Sequence, residues 1–161
     1  MFGPKLHSTA LVIPVLNEGD RIKRQLSSLK MMSPSVDIVL VDGKSDDGSI
    51  QSIDFERAGL TALLIKDCEG GLSRQLQIGF AYCLENEYKY VITMDGNNKD
   101  DPSGIEGIQL LLNSGYDFVQ GSRFITGGLA INTPKSRLLG VRLVHAPITS
   151  IASRAWITDS T

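Results

Sequence analysis

An α/β fold, with a mostly parallel sheet flanked by helices on both faces, is the architecture this chain predicts. Short apolar runs rich in β-branched residues alternate with segments whose apolar residues recur at three- and four-residue spacing. The connecting segments are long enough for right-handed crossovers, which make neighbouring strands run parallel. Two of the runs end in a carboxylate, Asp42 and Asp95. In an open sheet of this kind, ligands bind beyond the carboxyl ends of the strands.

The elements follow in order. Thr9-Ala10-Leu11-Val12-Ile13-Pro14 is a continuous apolar run, as expected of a strand covered on both faces. Asn17 is placed to cap a helix carrying Ile22, Leu26 and Leu29 on one face. After Pro34, residues 36–41 read as a second strand, ending at Asp42. Ile50, Ile53 and Phe55 predict a second helix up to Gly59, and residues 61–65 a third strand. Gly70-Gly71 then opens a helix with Leu72, Leu76, Phe80 and Leu84 as its apolar positions. The fourth strand is Tyr90 to Met94, followed beyond Pro102 by a helix carrying Ile105, Ile108, Leu111 and Leu112. Gly115 suits the left-handed position after that helix. Tyr116 to Gln120 reads as a fifth strand, and the stretch from Lys135 to Trp156 as a helix interrupted near Pro147.

Composition narrows the function. At 161 residues the chain is a single domain by length, with 42% hydrophobic and 21% charged residues. A net charge of -2 argues against nucleic acid as a partner. Cys68, Cys83, His7 and His145 have no metal-site spacing, so neither a zinc site nor a disulfide scaffold is expected. No apolar run approaches the roughly 18 residues of a membrane span, and no apolar stretch marks a secretion signal. The expected location is cytoplasmic.

The chemistry concentrates in Met94-Asp95-Gly96-Asn97-Asn98-Lys99-Asp100-Asp101-Pro102. A polar cluster at a strand end can bind a hard cation shared with substrate phosphates, and it can equally be a turn. A calcium loop fails here, because Lys99 occupies the fifth position and glycine is absent from the sixth.

Five segments then carry a resemblance. Leu11 to Glu18, reading apolar strand, Pro14, then Asn17-Glu18, resembles the opening of family 2 glycosyltransferases of the GT-A (Rossmann-like) fold. Val41-Asp42-Gly43-Lys44-Ser45-Asp46-Asp47-Gly48-Ser49 is similar to their second signature, and Gly71-Leu72-Ser73 with Gln77 and Gly79-Phe80 to their glycine-rich helix start. Met94 to Pro102 falls where the family has Asp-x-Asp, and Asp117 to Arg123 resembles its Asp-(apolar)-x-x-Gly-Ser-Arg. Gly127-Gly128, Pro134 and Arg137 point within the family to dolichyl- or polyprenyl-phosphate mannose or glucose synthases.

The resemblance implies an inverting hexosyltransferase. It would take a nucleotide-diphosphate sugar (GDP-mannose or a UDP-sugar) as donor and a lipid phosphate or glycan as acceptor. Mg²⁺ or Mn²⁺ is the implied cofactor. Asp95 would hold the metal–nucleotide complex, with Asn97 as second metal ligand. Pro14, Asn17, Glu18, Asp42, Asp47 and Gly71 would line the nucleotide-sugar pocket, and Arg123 and Arg137 would meet phosphates as catalytic residues. Residues 1–123 would form the donor half and 124–161 the start of the acceptor region, with peripheral membrane contact. The final residues, Trp156 to Thr161, resemble the start of a longer family segment, so a C-terminally truncated chain is expected. Asn97 replaces the family's second Asp and Gly43 an acid found in many members, which bears on metal affinity. A non-catalytic nucleotide-sugar-binding fragment and a metal-dependent phosphotransfer domain of doubly wound type are the alternatives.

Overall fold

The computed structural model describes residues 3–122, 139–154 and 157–159. The chain forms two compact units, Met1–Asn113 and Ser114–Thr161. The first contains β1 (Thr9–Val15), α1 (Asp20–Met32), β2 (Asp37–Asp42), β3 (Leu60–Ile65), α2 (Leu72–Glu85), β4 (Tyr90–Thr93) and α3 (Gly104–Asn113).

The four strands form one sheet in the order β3-β2-β1-β4, and every pairing is parallel. β1 and β2 are buried along their whole length, which is why residues 10–15 and 38–41 read as apolar runs. The chain steps leftwards from β1 to β2 to β3, then returns past both to β4. Right-handed crossovers therefore place α1 on one face and α2 on the other. The packing agrees: Ala10, Val12, Val39, Val41 and Ala62 on one face meet Cys83 of α2. Leu11, Ile13 and Leu40 alternate to the opposite face and are fully buried, as are Ile22 and Leu29 of α1.

The strands and the first helix lie within a residue or three of expectation, but three expected features change. Residues 50–59 form turns rather than a second helix, although Ile50 and Ile53 are buried as their apolar character requires. Tyr116 to Gln120 is assigned no strand, and Tyr116 and Phe118 are exposed. The buried positions of α2 are Gln75, Gly79 and Cys83, while Leu72, Phe80 and Leu84 face outwards. The reason is close approach: a Cβ on Gly79 would stand 2.6 Å from Val12 Cγ1. Helix and sheet thus meet along a small-residue stripe that an apolar-residue pattern does not reveal.

In the second unit, a π-helical segment (Val141–His145) leads directly into α4 (Ala146–Ser153). Pro147 occupies the first turn of α4. Proline removes one helical donor and crowds the carbonyl four residues earlier, and a wider π turn is one way a helix absorbs that defect. The interruption expected near Pro147 takes this form, and residues 135–138 and 155–156 of the expected helix lie outside the described residues. Ser150 Oγ accepts from the Ile157 amide at 2.9 Å, and the hydroxyls of Ser122 and Thr158 are 2.7 Å apart. No helix among the described residues is long and apolar enough to cross a membrane.

Candidate functional site

Because all four strands are parallel, their carboxyl ends share one edge. The direction of chain winding reverses between β1 and β4, and the crevice at such a reversal is where open α/β sheets take ligands. Both sides of that crevice are built from residues singled out in the sequence.

On the β1 side, Pro14 is buried inside the strand. Val12 turns its carbonyl to β4, accepting from the Met94 amide at 3.2 Å, and alternation points Pro14 the same way. The β1–β4 ladder ends at Val12 and Thr93, so the donor that proline lacks falls beyond the last pair. The chain then turns through Asn17 in the left-handed region at φ 55. Asn17 does not cap α1: the cap position is Gly19, with no side-chain cap bond. Instead Asn17 Oδ1 accepts from the Asp46 amide at 3.0 Å, and its own amide donates to Ser45 Oγ at 3.0 Å. Glu18 pairs with Arg21 Nε at 2.8 Å.

Those bonds lock the β1 end to the loop after β2. Asp42 is 5% exposed, and its Oδ1 receives the Ser45 hydroxyl at 2.6 Å and the Ser45 amide at 3.0 Å. Asp47 accepts from Ser49 Oγ at 2.6 Å and the Ser49 amide at 3.0 Å, and from the Gly19 amide at 2.9 Å. The Ser49 hydroxyl, followed by these amides, holds its carboxyl below the usual aspartate range.

α2 opens at the same edge, immediately after Gly71. A Cβ on Gly71 would meet nothing within 4 Å, so close packing does not demand glycine there. Lys66 braces the preceding loop, donating to the Cys68 and Gly70 carbonyls at 2.9 and 2.7 Å. Gln75, 3% exposed, donates from Nε2 to the carbonyls of Val15 and Val41 at 2.9 and 2.8 Å, joining β1 to β2. Its amide also fills the space above Gly43, where a Cβ would come within 3.1 Å of it. An acid at position 43 would compete with Gln75 for that space.

The β4 side differs. Gly96 lies so close to the end of β1 that a Cβ would stand 2.8 Å from the Pro14 carbonyl oxygen. This pins the turn while Asp95 keeps an exposed side chain. Partial burial of the carboxyl, and then the charge of Asp100, raise the Asp95 pKa above the aspartate norm. Asp100 Oδ2 accepts from the Asp95 amide at 3.1 Å. Asn97 directs its Nδ2 to Asp95 Oδ2 at 2.6 Å, and its Oδ1 accepts from the Lys99 amide at 3.0 Å.

This donor set decides how a cation would fit. No cluster of three His, Cys, Asp or Glu side chains among the described residues forms a metal cage. Mg²⁺ and its relatives are commonly held by one or two carboxylates plus substrate phosphates and water. Asp95, with Asp100 behind it, fits that mode, whereas a free ion would find too few ligands. Asn97 as placed turns its nitrogen, not its oxygen, toward Asp95, so joining a cation would require its amide to rotate and release Lys99. Arg123 and Arg137 lie outside the described residues.

Sequence reasoning missed Gln25 and Gln75, the two buried amides that tie these loops down. Gln25 had a readable signal: a polar residue three after Ile22 and four before Leu29 stands inside the apolar stripe of α1.

The family model described as glycosyl transferase family 2 matches residues 10–152. The chain is 25% identical over 134 residues to a polyprenol monophosphomannose synthase of Mycolicibacterium smegmatis, covering 81% of this chain and 51% of that protein. It is 29% identical over 128 residues to an undecaprenyl-phosphate mannosyltransferase of Micrococcus luteus, covering 78% and 52% respectively. A dolichol-phosphate mannosyltransferase of Mycosarcoma maydis is 26% identical over 157 residues, covering 89% and 52%. The chain thus spans about half the length of these curated relatives.

Proposed function

The chain belongs to glycosyl transferase family 2, and from that premise we propose that it carries the donor-binding part of an enzyme passing a sugar, mannose or a related hexose, from a nucleoside diphosphate to a polyprenyl phosphate. The observation that carries this reading is the exposed Asp95 carboxylate at the reversal point between β1 and β4.

In this reading the pocket runs along the shared strand edge. Asn17, Glu18, Asp42 and Asp47 shape the nucleoside side, Gly71 opens the helix beside it, and Asp95 faces the diphosphate. A divalent ion, Mg²⁺ or Mn²⁺, would offset charge on the two phosphates as the sugar departs. Asp95 would hold that ion, and its raised pKa means that protons compete with a cation for it at higher pH than for an ordinary aspartate. An oxygen of the acceptor phosphate attacks the anomeric carbon. The bond from that carbon to the diphosphate oxygen breaks, and the nucleoside diphosphate leaves with the electron pair. An ionised phosphate is already nucleophilic, so the step needs no strong general base. Arg123 and Arg137 are assigned to phosphate oxygens, which a planar guanidinium binds two at a time. Work at the cytoplasmic face of a membrane, through peripheral contact, follows from a lipid acceptor.

Calorimetric titration with GDP-mannose and UDP-sugars, with and without Mn²⁺, tests the reading. Tighter binding of one donor in the presence of metal is expected, and no binding of any donor would overturn it. A transfer assay with polyprenyl phosphate then separates an enzyme from a domain that only binds the donor. The phosphotransfer alternative has less support, because Asp42 is committed to Ser45 and Asp47 to Ser49.

A further inference from the structure

We infer that Gln25 is a positioning residue for the Asp95 loop, a role that rests on the donor-binding reading above. Gln25 sits on the buried face of α1 and is 1% exposed. Its amide spans the turn after β4 from both ends. Nε2 donates to the Asp95 carbonyl at 2.9 Å, and Oε1 accepts from the Asn98 amide at 3.0 Å. A donor facing a carbonyl and an acceptor facing an N–H leave one orientation of the amide.

The clamp acts on the residues that matter most. Asp95 and Asn98 bracket Gly96 and Asn97, and Asn98 is held in the left-handed region at φ 59. Without Gln25, the Asp95 carbonyl and the Asn98 amide lose a buried partner, and the turn would relax toward water to recover one. Gly96 would still rest on Pro14, so the turn would swing rather than detach. The group displaced would be the Asp95 carboxylate, which in this reading would hold the cation that offsets the charge of the phosphates. Glutamine suits the task, since a hydrocarbon residue could fill the volume but could not bridge a carbonyl and an amide. Gln75 does comparable work between β1 and β2, where its amide donates to two carbonyl oxygens.

The test uses the full 161-residue chain and the nucleotide sugar that binds it best. Gln25→Met is compared with the wild type by calorimetry, with and without Mn²⁺, and by amide hydrogen exchange. Faster exchange at Asn98 is expected, with metal-free donor affinity within about twofold. The Mn²⁺-dependent gain should fall about tenfold, since losing a partner that orients a metal ligand typically costs 10- to 100-fold in metal affinity. Gln25→Glu keeps the length and the acceptor for Asn98 but loses the donor to Asp95, so its loss should be intermediate. If Gln25→Met does not fold, Gln25→Glu alone carries the comparison. An unchanged Mn²⁺-dependent gain in a folded variant would overturn the role. So would an equal loss with and without metal, which marks a purely structural residue. No donor binding by the wild type would instead overturn the functional reading, and this role with it.

Discussion

The loops after β2 and β4 have similar compositions, but the acids that end the two strands, Asp42 and Asp95, differ in burial and in what holds them. After β2, Asp42 and Asp47 spend their oxygens on Ser45, Ser49 and Gly19, so the loop is held by the acids themselves. After β4, the turn is held by its neighbours: Gln25 bridges it, and Gly96 rests on Pro14. Asp95 is thereby left exposed, with its carboxyl pushed upward. A buried acid bonded to its own loop builds the site, whereas Asp95, exposed and bonded through one oxygen to the exchangeable Asn97 amide, is open to a ligand.

The sharpest break of this contrast is Asp95→Ala. Its side chain is exposed, so stability should change by no more than about 0.5 kcal/mol, as for ordinary surface substitutions. Metal-dependent donor binding should fall by more than about 100-fold, or roughly 2.7 kcal/mol. Denaturant melts and calorimetry on the same sample give both numbers. Unchanged affinity would remove Asp95 from the site.

The mirror experiment is Asp42→Ala. It strips the buried Ser45 amide and hydroxyl of their acceptor, which costs about 1–3 kcal/mol. Urea denaturation should show this loss with or without nucleotide. If Asp42→Ala proved as stable as the wild type, the Asp42–Ser45 bonds would not be what holds the loop.

This contrast also shows what a sequence can disclose. Asp42 and Asp95 were both visible as strand-end acids, and β1 and β2 were visible because burial on both faces makes their middles continuous apolar runs. The division of labour was hidden, since it depends in part on partners distant in sequence, such as Asn17 on Ser45 and Gln25 on Asn98. The face of α2 was hidden for a related reason. Leu72, Phe80 and Leu84 look like a core, but Gly79 and Cys83 allow the closer approach to the sheet. Ile50 and Ile53 needed burial, which turns supply as well as a helix does. Tyr116 to Gln120 has strand propensity, but among the described residues no strand pairs with it.

A smaller effect is expected from Asn97→Asp. In the apo chain it replaces the 2.6 Å bond from Asn97 to Asp95 with repulsion between two carboxylates, lowering stability slightly. A metal–nucleotide complex would relieve that repulsion, so Mn²⁺-dependent affinity should rise about tenfold, or ~1.4 kcal/mol. Equal or weaker affinity would place Asn97 away from the cation.

The finest distinction between the loops is in their titration. Asp47 has a lowered pKa, so the stability it contributes is present above the ordinary value of 3.8 and is lost as pH falls through a still lower value. Asp95 has a raised pKa, so its ionisation costs folding stability as pH rises through that value. Cation binding needs the ionised form, and metal-dependent donor affinity should therefore begin to fail at a pH above that of an ordinary aspartate. Asp100→Asn separates the causes. The asparagine oxygen can still accept from the Asp95 amide, but the neighbouring charge is gone, so the midpoint of affinity loss should move down toward 3.8. Calorimetry of the Mn²⁺–nucleotide complex at stepped pH measures the midpoint directly. If Asp100→Asn left the midpoint unmoved, the Asp100 charge would play no part in raising the Asp95 pKa.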